Sequence, residues 1–471
     1  MKTLLIIFLG AIVILFLGIN KPEKKSLPYI LILLLAALSM IPFDWYDAMT
    51  GNMAKWQTKY VSIKMLFWDI PALAFSAVLI IASMLVFILF SNQSRKGADL
   101  PGLMLFSLCG GLMMTSFTNL VMLFLGIEAL SIPLYVLAGS RKTDLRSNEA
   151  GLKYFLMGAF STAIFLLGCA FVYGGTGSLD IISIGRSAGM MGHIGVKSAL
   201  LHSGIIILLA SMLFKVAAFP FHFWSPDVYD GSPNRTTVFM ATVVKIAAFA
   251  AFFRLFQYAF SDIKGWWSQS MAIAAAATIL VGNIAAVRQK SFKRTLAYSS
   301  IAHAGYMLMA VLSAPEDGFW ALLIYTLAYA ASAVAVFYLL DRYGKESEGY
   351  SFESFGESGA GNRFASLVLI VSMFSMAGIP LTAGFAGKFM LFSSAFAQYN
   401  WLVGIALLGS AISIAYYFRI FKEVLFKPTA GLSAYKITWG EYAGLALALV
   451  LTLSIGLWPA LITGIQTMVV K

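Results

Sequence analysis

Six charged side chains stand at least three residues inside apolar runs where lipid is the expected solvent: Glu128, Lys153, Lys215, Lys245, Arg254 and Lys388. A charge at the centre of a membrane helix costs ~2.5–3.5 kcal/mol. Such a set persists only where the side chains face one another or a hydrated interior, and its default chemistry is ion or proton transfer. Lysine suits proton transfer, because withdrawal from water disfavours the ammonium and lets a normally permanent cation release its proton. A neighbouring carboxylate favours the ammonium again. A buried Glu–Lys pair that opens and closes is therefore a proton switch, and Glu128 with Lys215 is the candidate pair. Glu128, Lys215, Lys245 and Lys388 lie mid-run and are expected to carry function. Arg254 lies near the end of its run, where it is expected to snorkel to the interface. Lys153 is one turn into its run, also within reach of the interface.

The remaining reactive residue types add little. His303 has Ser299 four residues before it and Tyr306 three after, a polar stripe suited either to proton relay or to satisfied packing. His222 follows Lys215 by two turns, on the same face of an unbroken helix. It is placed to end a half-channel or to bond freed backbone. His193 and His202 lie in or near a loop and receive no role. Cys109 and Cys169 sit in apolar runs without metal-binding or disulfide spacing. Gly174-Gly175-Thr176-Gly177 reads as a turn, because no Gly-Lys-Ser/Thr follows it. No metal cluster and no nucleophile–base arrangement is visible.

The elements that must hold these side chains follow from composition. The chain has 471 residues, 60% hydrophobic and 11% charged. Soluble domains carry about 25% charged residues, which excludes a water-soluble enzyme, and this much apolar sequence excludes a disordered chain. The reading is an all-α integral membrane protein with about fourteen transmembrane helices, each needing about 20 residues. The apolar runs are 3–19, 28–42, 70–91, 101–118, 120–139, 150–174, 199–229, 236–260, 269–287, 293–314, 318–340, 364–397, 400–421 and 440–463. The first is expected to be a retained helix rather than a cleaved signal peptide. Runs seven and twelve are too long for simple spans and contain Pro220 and Pro380. Proline lacks an N–H, so the expectation is that Pro220 frees the carbonyl of Val216 and Pro380 that of Met376. Bare carbonyls at membrane depth need a cavity or a protein partner. Two broken helices five spans apart imply two inverted five-helix repeats. The predicted organisation is 1–100 (helices 1–3), 101–260 (first repeat, helices 4–8), 261–425 (second repeat, helices 9–13) and 426–471 (helix 14).

The net charge of +12 is attributed to the positive-inside rule rather than to nucleic acid. Of the 33 Lys and Arg residues, 20 fall in one set of alternate loops and 8 on the side shared with both termini. That asymmetry places the first set in the cytoplasm and both termini outside. The connection from about Asp341 to Arg363 is Gly-, Ser- and Glu-rich and reads as solvated.

Several runs resemble the antiporter-like membrane subunits of respiratory complex I. Gly126-Ile127-Glu128-Ala129-Leu130-Ser131-Ile132-Pro133-Leu134-Tyr135 resembles their fifth helix. Phe214-Lys215-Val216-Ala217-Ala218-Phe219-Pro220-Phe221-His222-Phe223-Trp224-Ser225-Pro226-Asp227 resembles their seventh. The run from Leu296 through His303 to Tyr306, and Ala377-Gly378-Ile379-Pro380-Leu381-Thr382-Ala383-Gly384-Phe385 with Lys388, continue the pattern in order. The resemblance is strong over about residues 100 to 425. Lys388 stands where one of the three sibling subunits has a glutamate, and the long lateral helix of another is not seen after the last run. The sequence departs from the family at Asn234-Arg235 in the loop between helices seven and eight.

The resemblance implies a subunit of a proton-translocating NADH:quinone oxidoreductase, with the redox chemistry outside this chain. It implies a switching pair at Glu128 and Lys215, a central connecting lysine at Lys245 and a terminal proton carrier at Lys388. His303 and Lys153 match further polar-axis positions. No cofactor is implied here; NADH, FMN, iron–sulfur clusters and quinone belong to the rest of the complex. The implied partners are other membrane-arm subunits, among them the M-type antiporter-like subunit and small membrane subunits, together with lipid. The implied location is a bacterial inner membrane. The alternative is a subunit of a multisubunit Na⁺/H⁺ antiporter, which shares this ancestry. A sodium site favours further intramembrane carboxylates.

Overall fold

In lipid a backbone must satisfy its own hydrogen bonds, and the apolar runs accordingly fold as helices. The computed structural model describes residues 1–20, 26–50, 65–90, 99–190, 195–344, 350–352, 362–426 and 437–458. The helices are α1 (Lys2–Asn20), α2 (Leu27–Met49), α3 (Ile70–Leu89), α4 (Asp99–Ser116), α5 (Leu120–Ala138) and α6 (Leu145–Thr176). There follow α7 (Ile181–Met190), α8 (Val196–Lys215), α9 (Trp224–Gly231) and α10 (Asn234–Ala259). The remainder are α11 (Lys264–Val287), α12 (Phe292–Leu312), α13 (Pro315–Tyr343), α14 (Arg363–Ala377), α15 (Ala383–Phe396), α16 (Asn400–Phe426) and α17 (Trp439–Leu457).

Among the described residues, 12 helices are long and apolar enough to cross a membrane. Two further apolar helices, Leu100–Ser116 and Arg363–Ala377, are shorter. The predicted run 199–229 is broken, as its length and Pro220 imply. Helix α8 ends at Lys215, and a stretch of turns leads to the separate short α9. The run 364–397 likewise divides into α14 and α15. Residues 459–463 of the last predicted run lie outside the described residues, as does most of the 341–363 connection. The amphipathic α7 was not foreseen, because ten residues with Ile181, Ile184 and Ala188 buried make too short an apolar run to stand out.

Local chemistry fixes the helix ends. The Asn119 side chain accepts from the Val121 N–H at 2.9 Å, so a single residue caps α5 straight after α4. Asp144 caps α6 in the same way, and Gly177 closes it in the left-handed conformation that glycine adopts without strain. Thr438 and Glu441 form a reciprocal capping box on α17. Packing relies on close backbone approach. A Cβ on Gly110 would lie 2.2 Å from the Leu130 nitrogen, so only glycine lets α4 and α5 meet there.

The central helices are α10, α12 and α13, buried along nearly their whole length. Helices α1, α2, α6 and α17 turn most of their surface outward, with exposed apolar residues such as Ile32, Phe155 and Phe160. The central helix α10 is irregular. Its residues Met240–Val244 form a π-helical turn that delivers Lys245, and Leu255–Ala259 form another just after Arg254.

Candidate functional site

The charged side chains Glu128, Lys215, Lys245 and Lys388 of the apolar helices lie in a row that runs from α5 and α8 past the central helices to α15. At one end is Glu128 on α5. Its Oε1 accepts from the Thr162 hydroxyl on α6 at 2.6 Å. One turn along α5, the Ser131 hydroxyl donates to the Ile127 carbonyl and accepts from Lys215 Nζ at 2.5 Å. The candidate pair is therefore separated: Glu128 and Lys215 share an electrostatic interaction but bond different partners. Each instead holds a hydroxyl partner, Thr162 and Ser131, which the sequence reading did not single out. A serine one turn after a mid-span glutamate was the available signal.

Lys215 is the last residue of α8, so the helix break begins at the lysine itself. The Trp224 indole N–H donates to the Phe214 carbonyl at 3.2 Å, seating the start of α9 on the end of α8. Because α8 stops here, His222 does not continue the Lys215 face. It is half-buried, stacked on Phe219 at 5.8 Å, with Nδ1 unpartnered.

Two small cavities flank Lys215. One, of about 20 Å³, is lined by Tyr135, Tyr154, Ser161, Thr162, Lys215 and Trp224 among others. The other, of about 10 Å³, reaches from Lys215 to Lys245. Each is about the size that admits a single water, ~10–15 Å³ being the minimum.

Lys245 is 4% exposed and sits at the middle of the row. Its Nζ donates to the Ser300 carbonyl and, at 2.5 Å, to the Ser300 hydroxyl on α12. It also lies 5.8 Å from the centre of the Tyr329 ring. Next comes His303, whose Nδ1 is 2.6 Å from the Tyr325 hydroxyl and Nε2 3.1 Å from that of Tyr417. Tyr417 also bonds Ser299. His303 lies within electrostatic reach of both Lys245 and Lys388. The predicted stripe divides here: Ser299 and His303 share Tyr417, whereas Tyr306 accepts from Asn283 at 3.2 Å.

Lys388 on α15 is 3% exposed. Its Nζ donates to the Ala377 carbonyl at 2.8 Å and to the Ser410 hydroxyl at 3.1 Å, and stands 4.9 Å from the Tyr306 ring centre. The carbonyl exposed by the second break is thus that of Ala377, one residue past the predicted Met376. Helix α14 already stops at Ala377, because Gly378 turns left-handed (φ 86°) two residues before the proline. The bare Cα of Gly378 also makes room for the lysine stem: a Cβ there would lie 2.8 Å from Lys388 Cδ.

Two basic residues stand otherwise than expected. Arg254 does not snorkel. It is 4% exposed and grips Asp69 with bonds of 2.9 and 2.8 Å, while its Nε donates to the Phe117 carbonyl at 2.6 Å. Asp69 also caps α3 through the Ala72 N–H, so one carboxylate ties α3 to α10. Lys153 is in a charged cluster at one end of the bundle rather than in the buried row. It pairs with Glu149 at 2.6 Å and Asp227 at 3.0 Å, and Arg294 adds 3.2 Å to Asp227 and 3.6 Å to Asp230. These residues and Arg146 line a cavity of about 210 Å³. Burial pushes the Asp227 carboxyl up, but Lys153 and Arg294 outweigh it and hold the group below its ordinary value. Near the same end, Asn234 donates to Asp341 and to the Tyr350 hydroxyl, both at 2.8 Å, and Arg235 packs over the Phe87 ring. The divergent loop thus ties α10 to α13 and α3.

Comparison with known proteins shows the family of the chain. Residues 118–413 match the family described as NADH:quinone oxidoreductase/Mrp antiporter, TM. The chain is 41% identical over 409 residues to NADH-quinone oxidoreductase subunit N of Cytophaga hutchinsonii, covering 86% of this chain and 85% of that one. It is 35% identical over 475 residues to the subunit N of Flavobacterium johnsoniae, covering 98% and 99%. Among solved structures, a chain of respiratory complex I from Thermus thermophilus superposes with a TM-score of 0.80 at 32% identity, with 98% of both chains covered. The chain belongs to the NADH:quinone oxidoreductase/Mrp antiporter family and, within it, to the subunit N group, the antiporter-like membrane subunits of complex I.

Proposed function

We propose that this subunit carries protons along the row from Glu128 to Lys388 when electron transfer elsewhere in the complex changes the electrostatics at one end. The carrying observation is the row itself: Glu128–Thr162, Ser131–Lys215, Lys245–Ser300, His303 between Tyr325 and Tyr417, and Lys388–Ser410. Hydroxyls and imidazole both donate and accept, so each link can pass a proton and be reset. Lys215 takes up the proton and holds it while Glu128 is near. Loss of that attraction releases it toward Lys245, through the cavity the two lysines share. His303 and its tyrosines pass it to Lys388, the last carrier. Lys153 acts at the inlet rather than within the row.

Fourteen spans are counted when α4 is added to the 12 long helices and α14 with α15 are taken as one broken span. The two inverted repeats are helices α4 to α10 and α11 to α16. Their packing supports this: α4 lies on α5 as α11 lies on α12, and α6 on α8 as α13 lies on α14 and α15. The flanking units are 1–100 and 426–471. Both termini face the periplasm of a bacterial inner membrane, and the Lys153 cluster faces the cytoplasm. Neighbouring membrane-arm subunits, including the M-type one, flank the chain in lipid. NADH, FMN, iron–sulfur clusters and quinone act in other subunits. Glu128 is the only carboxylate in the row, and a sodium site favours further intramembrane carboxylates, so the reading is protons rather than sodium.

Lys215→Ala and Glu128→Ala are expected to lower proton pumping and coupled NADH:quinone turnover by about tenfold or more, the scale of a lost acid–base group. The complex should still assemble. Wild-type pumping in the assembled variants sinks the mechanism.

A further inference from the structure

The charged cavity shares no lining residue with the two small cavities at Lys215, and Tyr154 and Trp224, which line both small ones, are close in sequence to Lys153 and Asp227 of the charged one. The outer cavity, about 210 Å³, is lined by Ala150 and Lys153 on α6 and by Asp227 on α9 among others. The inner ones, about 20 and 10 Å³, are both lined by Tyr154 and Trp224. Those two rings are stacked at 5.2 Å with 14° between their planes, and are 4% and 6% exposed. Neither ring lines the outer cavity. Trp224 also stacks on Phe214 at 5.7 Å, and Tyr154 meets Tyr135 edge-on at 4.9 Å.

We propose that Tyr154 and Trp224 form the gate through which protons enter toward Lys215, and that the Lys153–Asp227 ion pair holds it shut. This rests on the reading of Lys215 as the first carrier. The clamp and the gate are on the same two elements. Lys153 adjoins Tyr154 on α6, and Asp227 lies three residues after Trp224 on α9. Closing the 3.0 Å ion pair draws α9 against α6 and stacks the rings. Helix α9 is eight residues long, preceded by the break after Lys215 and followed by the loop at Ser232, so it can tilt as a unit. A tilt that parts the rings joins the outer cavity to both inner ones and runs water to Lys215 and Lys245. Lys153 and Asp227 are 43% and 42% exposed, so the clamp is weak and readily opened. Arg294 holds the same carboxylate from α12, the helix that carries Ser300 and His303. A shift of α12 as the central row changes charge therefore reaches the clamp directly. Tyr154 and Trp224 are positioning residues that control access.

Accessibility tests this without turnover. Ser161 is buried and lines the larger inner cavity, so Ser161→Cys reports on water beyond the gate. The whole complex is used, in inside-out vesicles, with a membrane-impermeant methanethiosulfonate as the probe. In this background Asp227→Asn is expected to speed labelling about two- to fivefold, the effect of losing a half-exposed ion pair. Trp224→Ala should speed it further, and Trp224→Phe should keep the slow rate. Equal labelling rates with and without Asp227→Asn overturn the gate, and that variant keeps the test decisive if Trp224→Ala does not assemble. A failed carrier reading appears separately, as normal pumping in Lys215→Ala with the labelling pattern intact.

Discussion

Arg254 and Lys215 illustrate how far a single residue can be read before its neighbours are known. Position in the sequence placed Arg254 near a helix end, and snorkelling followed. Its real partner, Asp69, is 185 residues away in the chain, and nothing in the local pattern joins them. Because the pair is nearly buried, Asp69→Asn leaves an uncompensated guanidinium and should destabilise the subunit by about 3–5 kcal/mol. The check is thermal or detergent inactivation of the complex; an unchanged profile argues that the pair contributes nothing. The mid-span lysines and Glu128 were legible, since a charge in an apolar run is conspicuous. Their hydroxyl partners were not, because serine, threonine and tyrosine are common in membrane helices. The clamp carboxylate Asp227 has a definite pH sign. Its value is lowered in the folded protein, so its contribution is present above the ordinary carboxylate range and is lost as pH falls through the lowered value. Labelling beyond the gate, corrected for the thiolate fraction of the probe cysteine, should therefore stay slow at neutral pH and rise only in strong acid.

At the scale of elements, the two broken helices were legible from proline and excess length, and their inner geometry was not. The rule that proline frees the carbonyl four residues back holds only within a continuous helix. Here α14 ends before Pro380, so the carbonyl offered to Lys388 belongs to Ala377. Gly378→Ala tests the design of that break. It forces a left-handed φ on a residue with a Cβ and drives that atom into the Lys388 stem. Pumping should fall with Lys388 displaced, while Gly440→Ala, where a Cβ meets nothing within 4 Å, should be neutral. Equal behaviour of the two variants would show that Lys388 placement does not depend on the break. The π-helical turn before Lys245 left no trace in the sequence, because an apolar helix reads alike whether it holds four or five residues per hydrogen-bonded loop.

At the scale of the whole molecule, composition alone identified a polytopic helical membrane protein. The span count depends on how broken and short helices are scored, which hydropathy cannot decide. Which helices lie at the centre was equally hidden, since lipid-facing and buried surfaces are both apolar. Orientation rests on the asymmetry of lysine and arginine among the loops. It predicts that reporters fused at either end of the chain face the periplasm; cytoplasmic reporters at both ends would reverse the direction of the proton path. The central claim is that one continuous row joins the two halves, and Lys245 is the residue through which it must pass. The most direct measurement is proton translocation per NADH oxidised, together with turnover, in vesicles containing assembled complex with Lys245→Met. The row requires both to fall well below the wild type. Wild-type values of both would mean that protons do not cross this subunit by way of Lys245.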